Sequence, residues 1–246
     1  MAMIFQEPMT ALNPVKSIGA QIAEGRRLHL GESRTDAERK ARELLDRVGL
    51  PAPRFNLDLY PHQLSGGQRQ RVMIAMAIAS EPDLLIADEP TTALDVTVQA
   101  QILDLMDELI DETGTALMLI THDLGVVSEM TDRIAVMYAG RIVETGRTEA
   151  VFRRMAHPYA RGLFAASPHG AALVRHSSGG RQRLKAIPGV VPDPLTRPAH
   201  CSFADRCAFV QDDCRLTIPP LDVLDENNGI THRAACFHPC EGEVMA

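Results

Sequence analysis

The strongest constraint on the fold is an apolar run, residues 84–87, that ends in two carboxylates, Asp88 and Glu89. A short apolar run bounded by polar residues and by Pro90 is typical of a strand buried in a parallel sheet. Ligands of open α/β sheets bind at the carboxyl ends of such strands. There one carboxylate can hold Mg²⁺ through water and the other can accept a proton from water. The alternative is a solvated acidic loop, which the fully apolar run disfavours.

A glycine pair at the start of a helix lies upstream of this run. Ser65 and Gln68 have the spacing of a capping box, and we expect the helix to run from Arg69 to about residue 79. Gly66 and Gly67 leave backbone N–H groups open where the helix dipole favours an anion. Alone, this pattern favours an ordinary helix cap. Combined with the acidic strand end, it predicts a nucleoside triphosphate site.

Five segments in one order resemble the motifs of the ATP-binding-cassette (ABC) ATPases. In chain order they match the Q-loop (Gln6), the signature motif (residues 64–68), the Walker B strand (residues 84–89), the D-loop (residues 92–95) and the switch histidine (His122). The resemblance implies an α/β fold with a P-loop NTPase-like ABC ATPase core. That core would contain an incomplete parallel sheet and a helical subdomain, followed by a Cys-rich C-terminal extension.

The resemblance also implies site residues, with ATP and Mg²⁺ as cofactors. Catalytic roles fall to Glu89, His122 and Gln6, and Asp88 and Gln6 would hold Mg²⁺ through water. The residues implied to contact ATP are Ser65, Gly66, Gly67, Gln68, Asp88 and Asp95. A single histidine after a strand is more often a turn residue, but the four other motifs favour a functional His122. The implied chemistry is attack of water on the γ-phosphate.

A phosphate-binding loop of the form G-x-x-x-x-G-K-[ST] does not occur in the 246 residues. The three lysines, Lys16, Lys40 and Lys185, follow valine, arginine and leucine. We therefore expect a chain that lacks its N-terminal part, with Met1 an internal methionine of a longer protein. Without that loop the β- and γ-phosphates lose their main cradle, so the isolated polypeptide should bind ATP weakly or not at all. Micromolar ATP binding would contradict this expectation.

Helical and strand patterns between the motifs predict a domain over residues 1–155. One helix is predicted over residues 35–48, with a Thr35–Glu38 capping box and Gly49 at its end. Its expected buried residues are Ala37, Ala41, Leu44, Leu45 and Val48. A second helix is predicted over residues 96–111, burying Val98, Ile102, Leu105 and Leu109 and ending at Gly114. A strand over residues 116–120 and a hairpin of residues 134–138 and 142–144 complete the prediction.

Residues 156–246 differ from this core because they contain all five cysteines. Their spacing matches neither paired C-x-x-C zinc sites nor ferredoxin runs, so zinc and an iron–sulfur cluster both remain open. Free thiols are the alternative. Residues 157–163, 187–189 and 201–207 resemble the C-terminal extension of oligopeptide/dipeptide/nickel importers. That resemblance implies a [4Fe–4S] cluster held by Cys201, Cys207, Cys214 and Cys236, with Cys240 left over.

Composition and motif spacing disfavour several classes of protein. The net charge of −7 predicts no broad basic face for nucleic acid, and the 45% apolar content supports a real core. The longest apolar run is far shorter than the roughly 20 residues that span a bilayer. The short spacing between Gln6 and Ser65 and the single set of motifs disfavour ABC ATPases that act on DNA or ribosomes.

The resemblance thus implies a subunit that hydrolyses ATP to energise import, peripheral to the cytoplasmic face of the inner membrane. Its expected partners are a second ATPase subunit, identical or paralogous, two transmembrane permease subunits and, indirectly, an external solute-binding protein. A non-catalytic chain that supplies only its signature motif to a partner is the alternative. The solute stays open among dipeptides, longer peptides, nickel and related compounds.

Overall fold

Two units, Met1–His122 and Asp123–Ala246, make up the chain. The structure, a computed structural model, describes residues 1–92, 94–167, 186–227 and 230–242. Within these ranges, no helix combines the length and the apolar character needed to cross a membrane. The domain boundary predicted after residue 155 stays a prediction.

The N-terminal unit contains a parallel sheet in the order β1-β2-β3. Its strands are β1 (Ala2–Ile4), β2 (Leu84–Asp88) and β3 (Ala116–Ile120). The apolar run predicted as a strand therefore forms β2, which pairs in parallel with both neighbours. Leu85 and Ala87 are buried, whereas Leu84 and Ile86 on the opposite face are half-buried. The carboxyl ends of β2 and β3 lie at the same edge because Asp88 is in register with Ile120.

Five helices accompany this sheet. They are α1 (Pro8–Ala11), α2 (Ile18–His29), α3 (Arg34–Arg47), α4 (Gly66–Ile78) and α5 (Val96–Thr113). Most of their largest fully buried side chains are aliphatic, including Ile18, Ile22, Leu45, Ile74 and Ile102. An aliphatic core agrees with the aromatic content of only 4%.

Helix α3 begins earlier than the sequence predicts. Its N-cap is Ser33, whose Oγ accepts from the Asp36 N–H at 3.1 Å, so the predicted Thr35–Glu38 capping box is wrong. Ser33 also donates its hydroxyl to the Asp36 carboxylate at 2.7 Å, and this reciprocal pair favours the earlier start. The predicted buried face is correct, and Gly49 ends the helix at φ +75°.

Helix α5 agrees with the prediction except at its first turn. Ile102, Leu105 and Leu109 are buried, and Gly114 closes the helix with a left-handed φ of +66°. Val98 is only half-buried, contrary to the prediction. It lies one turn from the helix start, where it packs against Gly67 in the first turn of α4.

An antiparallel sheet in the order β4-β5-β7-β6 forms the centre of the C-terminal unit. The elements are α6 (Leu124–Met130), β4 (Arg133–Tyr138), β5 (Arg141–Arg147), α7 (Thr148–Arg154), α8 (Pro158–Ala165), β6 (Asp222–Asn227) and β7 (Ile230–Ala234). The predicted hairpin is confirmed as β4 and β5. Ala139 and Gly140 connect them with φ of +46° and +74°, the two positive values that a type I′ turn requires.

Three aromatic rings anchor the segment that carries the first cysteines. The Tyr138 ring lies 4.7 Å from Tyr159 and 5.1 Å from Phe203, and the latter two rings are 5.5 Å apart. Phe203 precedes a short 3₁₀ helix, Ala204–Arg206, and is 4% exposed. Edge-to-face aromatic packing therefore holds this segment against β4 and α8.

Candidate functional site

The start of helix α4 is a complete capping box. Ser65 Oγ accepts from the Gln68 N–H at 3.4 Å, and Gln68 Oε1 accepts from the Ser65 N–H at 2.9 Å. The predicted N-cap is thus confirmed, but the helix begins at Gly66 and not at Arg69. Both glycines therefore lie in the first turn, where backbone N–H groups have no helical partner. This is the arrangement that binds an anion.

Gly67, the second glycine of this pair, is also needed for the packing of α4 against α5. A Cβ atom built on Gly67 would lie 2.8 Å from Val98 Cγ1, too close for two carbon atoms. The same atom on Gly66 would lie 4.0 Å from Leu94 Cδ2, an ordinary contact. Gly67 is therefore required by the approach of α5, independently of any ligand.

At the edge of the sheet, the backbone changes direction between the two carboxylates. Asp88 is the last residue of β2, whereas Glu89 has a left-handed φ of +44° and lies outside the strand. Its N–H donates to the Ile120 carbonyl of β3 at 2.8 Å. The opposed orientation expected for neighbours on one strand does not apply, because the strand ends between them. A positive φ on a non-glycine residue costs free energy and is frequent at functional sites.

The Glu89 carboxylate is held by three side chains. Thr92 Oγ1 donates to Glu89 Oε2 at 2.7 Å, and Gln6 Nε2 donates to the same oxygen at 3.1 Å. His122 Nδ1 lies 3.1 Å from Glu89 Oε1. These hydrogen bonds, from Thr92 first and then His122, lower the pKa of Glu89 below its ordinary value. The carboxylate is therefore ionised and oriented at neutral pH.

The structure thus brings together Glu89, His122 and Gln6, the three residues for which the family resemblance implies catalytic roles. Glu89 is 25% exposed and His122 is 78% exposed, so the cluster is open at its outer side. Thr92 is the member that sequence reasoning did not assign. Its signal was the spacing of three residues from Glu89, which lets a hydroxyl in the following turn reach back to the carboxylate.

Asp95 lies apart from this cluster of carboxylate contacts and caps helix α5. Its Oδ1 accepts from the Val98 N–H at 3.0 Å. Val98 also lies next to Gly67, so the turn that Asp95 caps packs against the start of α4.

Four of the five cysteines surround one cavity in the C-terminal unit. Cys201, Cys207, Cys214 and Cys236 line it, whereas Cys240 is not among the described lining residues. Phe203, Phe209 and Phe237 supply apolar walls. Burial raises the pKa of Cys201 and Cys207, and it raises the pKa of Cys236 to about 12. In this apolar setting the thiols of Cys201, Cys207 and Cys236 are protonated unless a cation compensates their charge.

A buried carboxylate fixes the wall of this cavity. Glu144 is fully buried and accepts from the Ala156 and His157 N–H groups at 2.7 and 2.8 Å. His232 Nε2 lies 2.8 Å from the same carboxylate. His157, which lines the cysteine cavity, is thereby attached to β5 and β7. This network could not be predicted from the sequence, because its members are far apart in the chain.

Two family models match the chain. The ABC transporter family matches residues 1–92, and the C-terminal region of the oligopeptide/dipeptide transporter family matches residues 143–214. These ranges contain the signature turn and three of the four cysteines that line the cavity.

Curated relatives agree with both models. A peptide import ATP-binding protein of Brucella ovis is 53% identical over 228 residues, which cover 92% of this chain and 67% of the relative. Another, from Brucella abortus, is 49% identical over 244 residues, covering 99% of this chain and 70% of the relative. The chain therefore spans about two thirds of the length of these relatives.

Solved structures show the same fold. A dimeric ATP-binding cassette in a post-hydrolysis state, bound to ADP and phosphate, is 31% identical, with a TM-score of 0.52 over 60% of this chain and 62% of that one. Part of an ABC transporter complex, cbiO1 from Clostridium perfringens, is 27% identical, with a TM-score of 0.55 over 72% of this chain and 63% of that one. The chain belongs to the ATP-binding proteins of ABC transporters, in the group of peptide import proteins.

Proposed function

We propose that this chain is the ATP-binding and ATP-hydrolysing subunit that energises peptide import through an ABC transporter. The observation that carries the proposal is the Glu89 carboxylate, held ionised by Thr92, Gln6 and His122 at the end of β2. A fixed, ionised carboxylate at that edge can orient a water molecule and accept its proton. The names of the relatives supply the class of solute.

Each residue of this cluster has a different role in hydrolysis. Glu89 is the general base. His122 makes a hydrogen bond to Glu89 through Nδ1, which leaves Nε2 free to bind the γ-phosphate. The chemistry that bound Mg²⁺ supplies is neutralisation of phosphate charge, and Asp88 and Gln6 would hold it through water. Thr92 keeps the Glu89 carboxylate oriented and ionised. Its hydroxyl therefore acts through Glu89 and not on the nucleotide.

The start of helix α4 would serve a nucleotide bound by a second ATPase subunit. Ser65 and Gly66 are exposed, and Gly67 and Gln68 are half-buried, so the first-turn N–H groups are accessible. A dimeric solved relative bound to ADP and phosphate supports a two-subunit arrangement. The partner ATPase would be identical or paralogous, with two permease subunits and an external solute-binding protein. We place the chain at the cytoplasmic face of the inner membrane.

The four cysteines around the cavity would hold a [4Fe–4S] cluster. Their thiol character, their number and the apolar walls fit such a group, whose ligands are cysteine thiolates. Bound there, the cluster would cross-link the segments that carry Cys201, Cys207, Cys214 and Cys236. Iron and sulfide in equal amounts after anaerobic purification are expected. Zinc alone, at one atom per chain, would overturn the cluster.

The Glu89→Gln variant tests the hydrolytic role in the transporter assembled around this chain. We expect ATP turnover to fall by roughly 100-fold or more, because general base catalysis contributes at least that much. Nucleotide affinity should change little, since the amide keeps the shape of the side chain. Glu108→Gln, an exposed carboxylate on α5, is the matched control. Equal turnover in both variants would favour the alternative, a chain that supplies only its signature motif to a partner.

A further inference from the structure

A second set of potential metal ligands overlaps the cysteine cavity, since Cys214 and His238 both line it. Asp213, Cys214 and His238 each offer a ligand atom, and these atoms lie within 4.8 Å of one another. The first two residues belong to a short 3₁₀ helix, Asp212–Arg215, and His238 follows β7. A carboxylate, a thiol and an imidazole from two separate segments therefore converge at one point.

The separations of these atoms suit a small divalent cation. His238 Nε2 lies 2.9 Å from both Asp213 carboxylate oxygens. A tetrahedral zinc ion with ordinary bond lengths holds its ligand atoms roughly 3.3 to 3.8 Å apart. A small outward movement of each group would therefore admit the ion.

The three candidate ligands differ in how exposed they are to solvent. Cys214 is buried, whereas the side chains of His238 and Asp213 are 34% and 47% exposed. A cation that enters from solvent would therefore meet the carboxylate and the imidazole before it reaches the thiol.

We propose that Asp213, Cys214 and His238 form a binding site for a divalent transition-metal cation of the zinc type. On binding, Cys214 releases its proton to solvent and the neutral imidazole of His238 carries its proton on Nδ1 instead of Nε2, so that the Asp213–His238 hydrogen bond is replaced by two bonds to the ion. Water from the exposed side completes the coordination. Because Cys214 also lines the cysteine cavity, this cation and a cluster held by the four cysteines exclude each other.

Cobalt binding by the full-length chain, reduced and stripped of metal with a chelator, tests the site. Co²⁺ alone is the probe, because a thiolate ligand gives it a charge-transfer absorption. We expect His238→Ala and Asp213→Asn each to weaken Co²⁺ binding at least tenfold, as loss of even an outer-sphere partner costs roughly 10- to 100-fold. His200→Ala is the matched control, since within the described residues the side chain of His200 makes a hydrogen bond only with the Cys201 carbonyl.

A double variant, Cys201→Ser with Cys207→Ser, separates this site from the all-thiol set. It removes two of the four cavity thiols and leaves Asp213, Cys214 and His238 in place, so Co²⁺ binding with its thiolate band should persist. Loss of binding in that variant, together with normal binding by His238→Ala, would overturn the proposal in favour of the thiols. Equal binding by all variants would also overturn it. Absence of iron and sulfide in the native protein would refute the cluster and leave this result unaffected.

Discussion

Gly67 is the residue at which the signature turn and helix α5 come closest. The capping box around it could be predicted from the Ser65–Gln68 spacing, because the interaction is local. Its contact with Val98 could not, because that contact depends on how α5 packs. The Glu89 cluster was likewise only partly predictable. Its motifs could be recognised in the sequence, but the hydrogen bond from Thr92 depends on the left-handed backbone conformation of Glu89.

Substitution of Gly67 by alanine should destabilise the N-terminal unit by about 1 to 3 kcal/mol, the usual cost of overpacking. The new Cβ meets Val98 Cγ1 at 2.8 Å, and a β-branched side chain in a helix has little freedom to move. Gly66→Ala is the control and should be neutral or stabilising. Urea unfolding measures both. Equal effects of the two substitutions would show that packing against α5 does not explain Gly67.

Replacement of Thr92 by valine should move the acidic limb of the pH–rate profile to higher pH. The Thr92 hydroxyl is the largest cause of the lowered pKa of Glu89, so its removal raises that pKa. Glu89 then becomes protonated, and inactive as a base, at a higher pH. Thr91→Val serves as the control. An unshifted profile with lower turnover at every pH would indicate a structural role only.

Among the elements, α2 and α4 are joined through one buried arginine. Arg26 donates to the Ala79 carbonyl at the end of α4 at 2.7 Å and to Glu32 at 2.5 and 2.8 Å. It also reaches Glu81 at 3.0 Å. The sequence predicted which helices exist because their apolar periodicity is local. It did not predict this connection, since arginines at helix ends are usually solvated.

The Arg26→Met variant should lower the free energy of unfolding of the N-terminal unit by about 3 kcal/mol. The change leaves the Ala79 carbonyl without its charged donor and Glu32 without its counter-charge, while methionine keeps most of the apolar volume. Arg27→Met, at an exposed position on the same helix, should change stability by less than about 0.5 kcal/mol. Chemical denaturation measures the free energy of unfolding of both variants. An Arg26→Met variant as stable as the unmodified chain would contradict this prediction.

For the whole molecule, the sequence was most informative about the order of its motifs. Five motifs in one order predicted the ABC ATPase core, and the fold agrees with the solved relatives. Strands β6 and β7 were not predicted, because they complete the sheet begun by β4 and β5 from distant positions in the chain. The Glu144 network and the Asp213–His238 pair were missed for the same reason.

Acid should destabilise the C-terminal unit through His157. Burial lowers the pKa of His157 to about 4, although the Glu144 carboxylate opposes the shift. The unfolded chain binds a proton near pH 6.5, so the free energy of unfolding falls as the pH drops from 6.5 towards 4, by about 2 kcal/mol at pH 5. His157→Gln should lose this slope and His200→Gln should keep it. The measurement is the free energy of unfolding of each variant between pH 7 and pH 5. If both variants lost stability with falling pH to the same extent, the role of His157 would be contradicted.

ATP hydrolysis by the transporter assembled around this chain and an ATPase partner tests the central claim most directly. The claim is that the exposed start of α4 closes on a nucleotide held by the partner subunit. Ser65→Arg places a bulky side chain there, whereas Ser33→Arg removes an equivalent N-cap from α3. Phosphate release should fall by more than about tenfold for Ser65→Arg, because the nucleotide loses its closing contacts, and should be unchanged for Ser33→Arg. Unchanged turnover with Ser65→Arg would contradict the account.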